Sequence, residues 1–217
     1  MNIAIHYRGS ARDADGLAAE LNAIRSESAI TVQADLLDNP RLMELVDEVV
    51  AQTGRLDLLV NNASTFYPTP LADVTEENWN DLLGTNLKAP LFLAKAAAPH
   101  LKKSNGNIIN IVDIHAQRPL SNHPVYGPAK AGLAMLTRSL AKDLAPAVRV
   151  NGVSPGAILW PEDGMTENVE QAIIKQVPLK RTGEPADIAK TVLFLVKDAH
   201  YITGQIIAVD GGRSIGW

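Results

Sequence analysis

The sequence contains no cysteine in its 217 residues. Disulfide bonds, thiolate metal ligands and a thiol nucleophile are therefore excluded. The absence fits a reducing compartment, and the first residues lack the basic and long apolar segments of a secretory signal peptide. We therefore expect a cytoplasmic protein.

Long apolar runs and an excess of basic charge are lacking as well. No stretch approaches the roughly 20 apolar residues that a membrane-spanning helix needs. Lys and Arg number 20 against 24 Asp and Glu, a net charge of −4, so no surface for nucleic acid or anionic lipid is indicated. The composition, 46% hydrophobic and 20% charged, is that of a globular chain. No linker or repeat interrupts it, and we expect one domain over residues 1–217.

Six short apolar runs alternate with helical segments along the chain. The runs cover residues 2–7, 29–34, 56–61, 106–113, 149–154 and 205–210. They are nearly all apolar instead of alternating with polar residues, which is typical of strands covered on both faces. Strands that alternate with helices at this pace predict βαβ units, a parallel sheet and an α/β fold.

Helical periodicity fills the intervals between the runs. Asn39-Pro40 places a proline in the first turn of the second helix. Two long helices are expected over about residues 76–103 and 124–144, and a last helix begins near Pro185. We expect Ser10 to cap the first helix. The buried stripe of that helix would consist of Ala14, Leu17, Ala18, Leu21 and Ile24.

Polar and small residues follow three of the predicted strands. They occupy residues 61–68, 113–115 and 154–157. In doubly wound sheets a ligand binds in the crevice at the carboxyl ends of the strands. These three segments are therefore the first candidates for a functional site.

Tyr126 and Lys130 lie four residues apart at the start of a predicted helix, so their side chains share one face. A cation beside a phenol favours the phenolate and lowers the pKa of the tyrosine. Tyr126 would then be a usable proton donor when a neighbouring carbon accepts hydride. Alone the pattern is weak, because a surface pair on a helix has the same spacing.

Taken together, the motifs resemble those of the short-chain dehydrogenase/reductase family over essentially the whole chain. The resembling positions, in chain order, are Asn61-Asn62-Ala63-Ser64 at a strand end, Asn86, Tyr126 with Lys130, Pro155-Gly156 and Asp210-Gly211-Gly212. The resemblance implies a Rossmann-like doubly wound parallel sheet and an oxidoreductase with a nicotinamide cofactor. It also implies that Tyr126 and Lys130 are catalytic, that Asn86 orders a water in the proton relay, and that Pro155-Gly156 turns over the nicotinamide.

Three departures from the general family pattern resemble the pteridine reductases, which reduce pterin or dihydrofolate rings with NADPH. Ser64 replaces the usual glycine, and Phe66 follows it in a position to stack on a flat heterocycle. Asp113 stands where most relatives carry the catalytic serine, and a carboxylate suits the N–H donors of a pterin edge. The segments 117–120 and 123–126 resemble a loop of the same subgroup. Taken singly, Phe66 could be a core aromatic and Asp113 a solvated acid or a cap.

The implied reaction transfers a hydride from the nicotinamide to the pterin while Tyr126 supplies a proton. Lys130 would lower the pKa of Tyr126 and hold the nicotinamide ribose. Asp113 would orient the substrate and relay protons, and Phe66 would hold the pterin against the nicotinamide. Two alternatives stay open. One is a reductase of another carbonyl substrate, such as a 3-oxoacyl thioester or a sugar ketone. The other is an inactive paralogue that only binds a ligand or partner subunits.

The cofactor preference is predicted from the end of the first run. NAD-preferring relatives carry an acid there for the ribose hydroxyls, whereas this chain continues with Tyr7, Arg8 and Ser10. Arg8 can pair with a 2′-phosphate and Ser10 can donate to it at a helix N-terminus, so NADPH is expected. Asp35 could cap a helix instead of binding the cofactor. The further cofactor contacts implied by the resemblance are Asp35 and Leu36, which border the adenine, and Asn62, Ala63, Ser64, Tyr126, Lys130, Pro155 and Gly156.

The glycine-rich turn that opens short-chain reductases is missing from this sequence. The chain begins at the second strand of the family pattern, so the first strand and helix are absent, and with them the backbone N–H groups that bind the pyrophosphate. The absent strand is the middle one of the family's sheet. Its removal leaves a gap of ~9–10 Å with unpaired backbone on both sides. Either the flanking strands close up and pair, or an upstream segment is missing; we favour the second, an N-terminally truncated chain.

The resemblance also implies a homotetramer that packs the two long helices and the last strand between subunits. Arg213 and Trp217 could reach such a contact or a neighbouring active site. His115 and His123 lack the carboxylate spacing of a metal site, so no metal is expected.

Overall fold

The computed structural model describes residues 1–160 and 166–215, and Trp217 lies outside these residues. Within them, each of the six apolar runs forms a strand whose ends differ from the prediction by two residues or fewer. The strands are β1 (Ile3–Tyr7), β2 (Ala29–Gln33), β3 (Leu58–Asn61), β4 (Asn107–Ile111), β5 (Arg149–Pro155) and β6 (Ile206–Val209).

The helices follow the predicted order, with two differences. The helix expected over about residues 76–103 is divided by a π-helical turn at Gly84–Lys88, and a helix over residues 167–176 was not predicted. None of the helices described is long and apolar enough to cross a membrane. The helices are α1 (Ala11–Ile24), α2 (Asn39–Thr53), α3 (Glu76–Leu83), α4 (Ala89–Ser104), α5 (Tyr126–Leu144), α6 (Glu167–Gln176) and α7 (Pro185–Lys197).

All strand pairs are parallel, as the βαβ pattern predicted. β1 pairs with β2 in one sheet, and β3, β4, β5 and β6 pair in that order in a second sheet. Helices cover both faces of the larger sheet: Ile108 of β4 packs into a core with α2 and α4, whereas its neighbour Ile109 packs with Leu195 of α7. The predicted Rossmann-like α/β architecture is therefore confirmed.

A shared core joins the two sheets on one face. Val32 of β2, Leu42 of α2, Leu101 of α4 and Val150 of β5 belong to the same buried cluster. Helices α2 and α4 pack against each other. The two sheets are therefore held in place by the helices above them and not by hydrogen bonds between strands.

Between the sheets lies an apolar groove of about 600 Å³. Ile3 of β1 and Val60 of β3 line it, and both side chains are partly exposed (42% and 39%). Within the described residues, β1 and β3 pair with β2 and β4 only. The first of the two expected arrangements, in which the flanking strands close up and pair, is therefore wrong. Apolar side chains of α7, including Ile188 and Val192, line the groove as well.

Helix α1 differs from the predicted packing. Ala14 and Ala18 are buried, but Leu17 and Ile24 are exposed. The reason is that, among the described residues, α1 packs mainly against the two strands β1 and β2, which cover a narrow stripe of the helix. Ser10 does stand at the N-cap position, but its side chain makes no capping hydrogen bond.

Candidate active site

The loops that follow the strands of the larger sheet meet at its carboxyl edge. The loop after β3 is tied to the loop after β4 by a hydrogen bond from Thr69 N–H to the Asn122 carbonyl, at 2.6 Å. The loop after β4 is tied to the turn after β6, because Arg118 Nε donates to the Ser214 carbonyl at 2.9 Å. The predicted site residues on these loops are thereby brought to one edge of the fold.

Asp113 and Tyr126 form the central contact of this edge. The Tyr126 hydroxyl donates to Asp113 Oδ2 at 2.8 Å, and Tyr126 is only 4% exposed at the start of α5. The other carboxylate oxygen, Oδ1, accepts from the backbone N–H of His115 at 2.8 Å and so caps a short 3₁₀ turn. Asp113 therefore caps the turn with one carboxylate oxygen and contacts Tyr126 with the other.

Lys130 lies one turn further along α5 and is 2% exposed. Its Nζ donates to the Ile111 carbonyl at the end of β4, at 3.0 Å, and lies 5.7 Å from the centroid of the Tyr126 ring. Burial lowers the pKa of Lys130 to about 8, although the nearby Asp113 carboxylate acts in the opposite direction. The spacing of Tyr126 and Lys130 therefore places both side chains in one buried site, as predicted.

The pKa of Tyr126 is raised, which corrects the expectation that Lys130 would lower it. Burial is the main cause, and the negative charge of Asp113 and the hydrogen bond to it add to the effect. The phenol donates to a carboxylate, and loss of its proton would leave two negative charges side by side. Tyr126 is therefore held as a phenol, which is the form a proton donor requires.

Asn86 is held by the loop that follows β3. Its Nδ2 donates to the carbonyls of Thr65 and Leu82, both at 2.9 Å, and its Oδ1 accepts from the Ser64 hydroxyl at 2.6 Å. Asn86 lies in the π-helical turn between α3 and α4 and is 1% exposed. Such turns often occur at functional sites. The water-ordering role stays a prediction; in the structure the amide oxygen accepts directly from Ser64.

Phe66 belongs to a cluster of three aromatic rings. Its ring stacks on His123 (centroids 4.8 Å apart, 13° between planes) and meets Tyr126 edge-on (4.8 Å, 73°). Phe66 is 48% exposed, so the alternative of a core aromatic is wrong. From the sequence, His123 was expected in a loop that resembles that of the pteridine reductases, but its contact with Phe66 was not predicted.

A buried polar chain supports the strand ends beneath the site. Asn61 Nδ2 at the end of β3 donates to Asn110 Oδ1 at 2.7 Å, and Asn110 Nδ2 donates to Thr137 Oγ1 of α5 at 2.8 Å. Thr137 in turn donates to the Leu133 carbonyl. The chain joins β3, β4 and α5, and so fixes the elements that carry Asn62, Asp113 and Tyr126.

The turn after β6 was not assigned a place in the site by its sequence. Asp210 accepts from the backbone N–H groups of Gly212 and Ser214. Arg213 is partly buried, and burial lowers its pKa while the charges of Asp113 and Asp210 oppose this effect. The basic side chain of Arg213 therefore belongs to the surroundings of Asp113.

The nicotinamide end of the expected cofactor site is well formed. Pro155-Gly156 ends β5, and the Gly156 N–H donates to the Val209 carbonyl at 3.0 Å. A Cβ at Gly156 would lie 2.7 Å from the Cα and Cβ of Asp210, so only glycine fits this close approach. Together with Lys130 and Tyr126, this turn fits a nicotinamide and its ribose. Asn62, Ala63 and Ser64 lie in the loop after β3.

The residues expected to bind the adenosine end of the cofactor fit that group less completely. Tyr7 ends β1, and its carbonyl accepts from Ala34. Arg8 is exposed and lines a cavity of about 610 Å³ that it shares with Leu37, Glu76 and Glu77, among others. The predicted neighbours of the adenine have other contacts: Asp35 Oδ1 accepts from Leu37 N–H, and Leu36 packs against the core. No glycine-rich turn is present in the sequence to bind a pyrophosphate.

Among the residues described, no group of three His, Asp or Glu side chains is arranged to hold a metal ion. His115 Nδ1 contacts the Arg118 carbonyl, and His123 Nδ1 contacts the Ser121 carbonyl.

Comparison with known proteins places this geometry in a family. The family model described as enoyl-(acyl carrier protein) reductase matches residues 1–214. The chain is 39% identical to pteridine reductase 1 of Leishmania tarentolae, over 98% of this chain and 88% of that protein. It is 37% identical to a 3-oxoacyl-(acyl-carrier-protein) reductase of Staphylococcus epidermidis, over 97% and 88% respectively. It is also 38% identical to a putative ketoacyl reductase of granaticin polyketide synthesis from Streptomyces violaceoruber, over 98% and 86%. The chain therefore belongs to the short-chain dehydrogenase/reductase family of oxidoreductases, as its motifs predicted.

Proposed function

We propose that this protein reduces a pterin or dihydrofolate ring with NADPH and that Tyr126 donates the proton. The observation that carries the proposal is the hydrogen bond between the Tyr126 hydroxyl and Asp113, next to the half-exposed ring of Phe66. The similarity to a pteridine reductase over nearly the whole chain supports the same substrate class.

The charge of Asp113 favours a pterin over a simple carbonyl substrate. The amidine-like edge of a pterin offers N–H donors, which form strong hydrogen bonds to a carboxylate. A ketone gains negative charge on its oxygen as hydride arrives, and that oxygen needs hydrogen-bond donors nearby. Asp113 supplies an acceptor and a negative charge, so its side chain suits the first substrate better than the second.

Phe66 supplies an apolar surface for a flat ring. One face of its ring packs on His123, but almost half of the side chain is exposed. Offset stacking on that exposed part would bring a heterocycle close to the Tyr126 hydroxyl, because the two aromatic rings are in contact.

Side chains of this protein donate the proton and orient the substrate. The bound cofactor supplies the hydride. Tyr126 holds a proton on its hydroxyl and gives it to the ring, Asp113 orients the N–H groups of the substrate, and Lys130 places its ammonium group beside Tyr126. Pro155-Gly156, with Asn62 and Ser64, would hold the nicotinamide end of the cofactor.

A second candidate function is the reduction of a 3-oxoacyl thioester. The two carrier-protein and ketoacyl reductases at 37% and 38% identity favour it. The third possibility is a paralogue that binds a ligand without turnover. An assay of substrate turnover separates both of them from the first candidate.

The proposal extends to assembly as a homotetramer. Leu91 on α4 and Met135 on α5 are apolar and exposed (42% and 60%). Such side chains on two long neighbouring helices support packing between subunits. Light scattering of the purified chain tests this part directly, and a monomer at micromolar concentration would contradict it.

The test of the substrate is NADPH oxidation with dihydrobiopterin, dihydrofolate and an acetoacetyl thioester. We expect turnover of a pterin or folate, and a loss of about 100-fold or more in kcat/KM for the variant Asp113→Asn. Asp143→Asn, at an exposed acid of α5, is the control and should leave the rate unchanged. Turnover of the thioester alone would overturn the proposal, and binding of pterin without any turnover would favour the inactive paralogue.

A further inference from the structure

Arg118 joins two segments of the active site that lie 96 residues apart in the sequence. Its Nε donates to the Ser214 carbonyl at 2.9 Å, and the side chain is partly buried. From the sequence, Arg118 was only part of the segment 117–120 that resembles a loop of the pteridine reductases. The proposed function gives this side chain no part, although it ends the turn that carries Asp113.

The 113–118 turn, formed by Asp113 through Arg118, is held by hydrogen bonds at both of its ends. The backbone N–H groups of Gln117 and Arg118 donate to the Ile114 carbonyl at 3.1 and 3.0 Å. At the other end, the His115 N–H donates to Asp113 Oδ1 at 2.8 Å. Local bonds of this kind fix the shape of the turn, whereas its place relative to the rest of the site depends on longer-range contacts.

The ring of His115 connects Arg118 to Asp113. Its Nδ1 lies 2.8 Å from the Arg118 carbonyl, and a carbonyl oxygen only accepts hydrogen bonds, so Nδ1 carries the proton. The same residue donates through its backbone N–H to Asp113. A continuous path of hydrogen bonds therefore leads from Arg118 through His115 to Asp113, and from there to Tyr126.

The far end of this path is fixed to the sheet. Both carboxylate oxygens of Asp210 accept from the turn after β6, Oδ1 from the Gly212 N–H at 2.9 Å and Oδ2 from the Ser214 N–H at 2.7 Å. Asp210 directly follows β6, which pairs with β5. The Ser214 carbonyl is a fixed acceptor for Arg118 because Asp210 holds the residue that carries it.

The orientation of the Asp113 carboxylate needs such a support. The terminal torsion of an aspartate side chain is broad and only weakly restricted. One oxygen is held by the His115 N–H, which directs the other oxygen toward the Tyr126 hydroxyl. A shift of the 113–118 turn would move the first oxygen and so lengthen the contact between the second oxygen and Tyr126.

We propose that Arg118 is a positioning residue, which holds the 113–118 turn to the turn after β6 and so keeps the Asp113 carboxylate on the Tyr126 hydroxyl. The inference rests on the proposed roles of Asp113 and Tyr126 in the reduction. Arg118 itself takes no part in proton or hydride transfer. It acts on the rate only through Asp113, which distinguishes this role from a contribution to stability alone.

The first test measures the 113–118 turn directly and needs no turnover. Arg118→Met keeps most of the apolar stem and removes the donors, and Arg138→Met, at an exposed arginine of α5, is the matched control. Amide hydrogen exchange is followed by mass spectrometry on peptides that cover the turn and strand β4. We expect exchange in the turn to be about tenfold faster in Arg118→Met and unchanged in Arg138→Met, with β4 unchanged in both. Equal exchange in the turn of Arg118→Met and of the unaltered chain would overturn the inference.

The second test asks whether Arg118 acts through Asp113. A double-mutant cycle compares kcat/KM for the unaltered protein, Arg118→Met, Asp113→Ala and the double variant. We expect Arg118→Met to lower kcat/KM about tenfold when Asp113 is present, and by less than about twofold in the Asp113→Ala background. The same loss in both backgrounds, which a purely structural role would give, would overturn the inference.

A second variant and a second substrate keep the outcome decisive. Asp210→Ala releases the Ser214 end of the path, so exchange in the 113–118 turn should rise as it does in Arg118→Met; unchanged exchange would count against the path. This variant decides the question if Arg118→Met does not fold. The cycle uses dihydrobiopterin or, if no pterin is reduced, the acetoacetyl thioester; in the latter case the proposed function fails while the role of Arg118 is still decided. If neither compound is reduced, the exchange measurement decides that role alone.

Discussion

Replacing Lys130 by methionine is expected to make the fold more stable near neutral pH while damaging the active site. Lys130 is almost fully buried, and its pKa is lowered from 10.5 to about 8, chiefly by desolvation. That difference corresponds to a penalty of about 3 kcal/mol for keeping the ammonium group charged in the folded protein. The variant also loses the hydrogen bond to the Ile111 carbonyl, at a cost of about 1–2 kcal/mol. We therefore expect a net gain of about 1–2 kcal/mol in the free energy of unfolding at pH 7.

The pH dependence of this gain follows from the two pKa values. Below pH 8 the lysine is charged in both the folded and the unfolded chain, and the penalty is present in full. Between about pH 8 and 10.5 the unfolded chain binds the proton and the folded chain does not, so the stability of the unaltered protein rises relative to the variant. Above 10.5 both states are neutral and the penalty is gone. The advantage of Lys130→Met is therefore lost across this window.

Chemical denaturation at pH 7 and at pH 10.5 measures both effects. Lys142→Met, at an exposed lysine on the same helix, is the matched control and should show neither the gain nor its pH dependence. A variant of Lys130 that is less stable than the unaltered protein at pH 7 would refute the reasoning. So would a stability difference that is the same at both pH values.

Two further predictions concern the frame of the site. Asn110→Leu breaks the polar chain between β3 and α5 and leaves the buried Asn61 amide without its acceptor, so we expect a loss of about 2–4 kcal/mol in urea denaturation. Replacing Asn61 and Asn110 together should lower the free energy of unfolding by less than the sum of the two single changes. Strict additivity would argue against a continuous hydrogen-bonded chain through these residues. Gly156→Ala brings a Cβ to 2.7 Å from Asp210 and should cost about 1–3 kcal/mol, because the backbone must shift. Gly127→Ala, whose Cβ would meet its nearest neighbour at 3.6 Å, should be neutral or stabilising, and equal losses for the two alanines would contradict the crowding at Gly156.

The fold could be predicted because its strands carry a strong local signal. Each is a short run with apolar residues on both faces, and the alternation with helices leaves few alternatives to a parallel sheet. The exposure of Leu17 and Ile24 could not be predicted in the same way. Their periodicity is that of a buried helix, and only the width of the two-stranded sheet beneath α1 shows that they are uncovered.

The site was predicted where sequence spacing fixes geometry, as for Tyr126 and Lys130 on one helix. The raised pKa of Tyr126 was not predicted, because it depends on burial and on the Asp113 carboxylate. That group is 13 residues away in the sequence and 2.8 Å from the Tyr126 hydroxyl in space. The bond from Ser64 to Asn86 depends on a π-helical turn, for which the sequence carries no clear signal. The effect of the Asp113 charge on the pKa of Arg213 likewise depends on residues far apart in the sequence.

The most direct test of the account compares Tyr126→Phe with the unaltered protein for binding and for turnover of a dihydropterin. Phenylalanine keeps the ring that packs on Phe66 and removes only the hydroxyl that contacts Asp113. We expect the pterin to bind within about threefold of its normal affinity while kcat falls by about 100-fold or more, since the proton donor is lost. Turnover that continues at the normal rate would show that the proton comes from another group and would contradict the central claim.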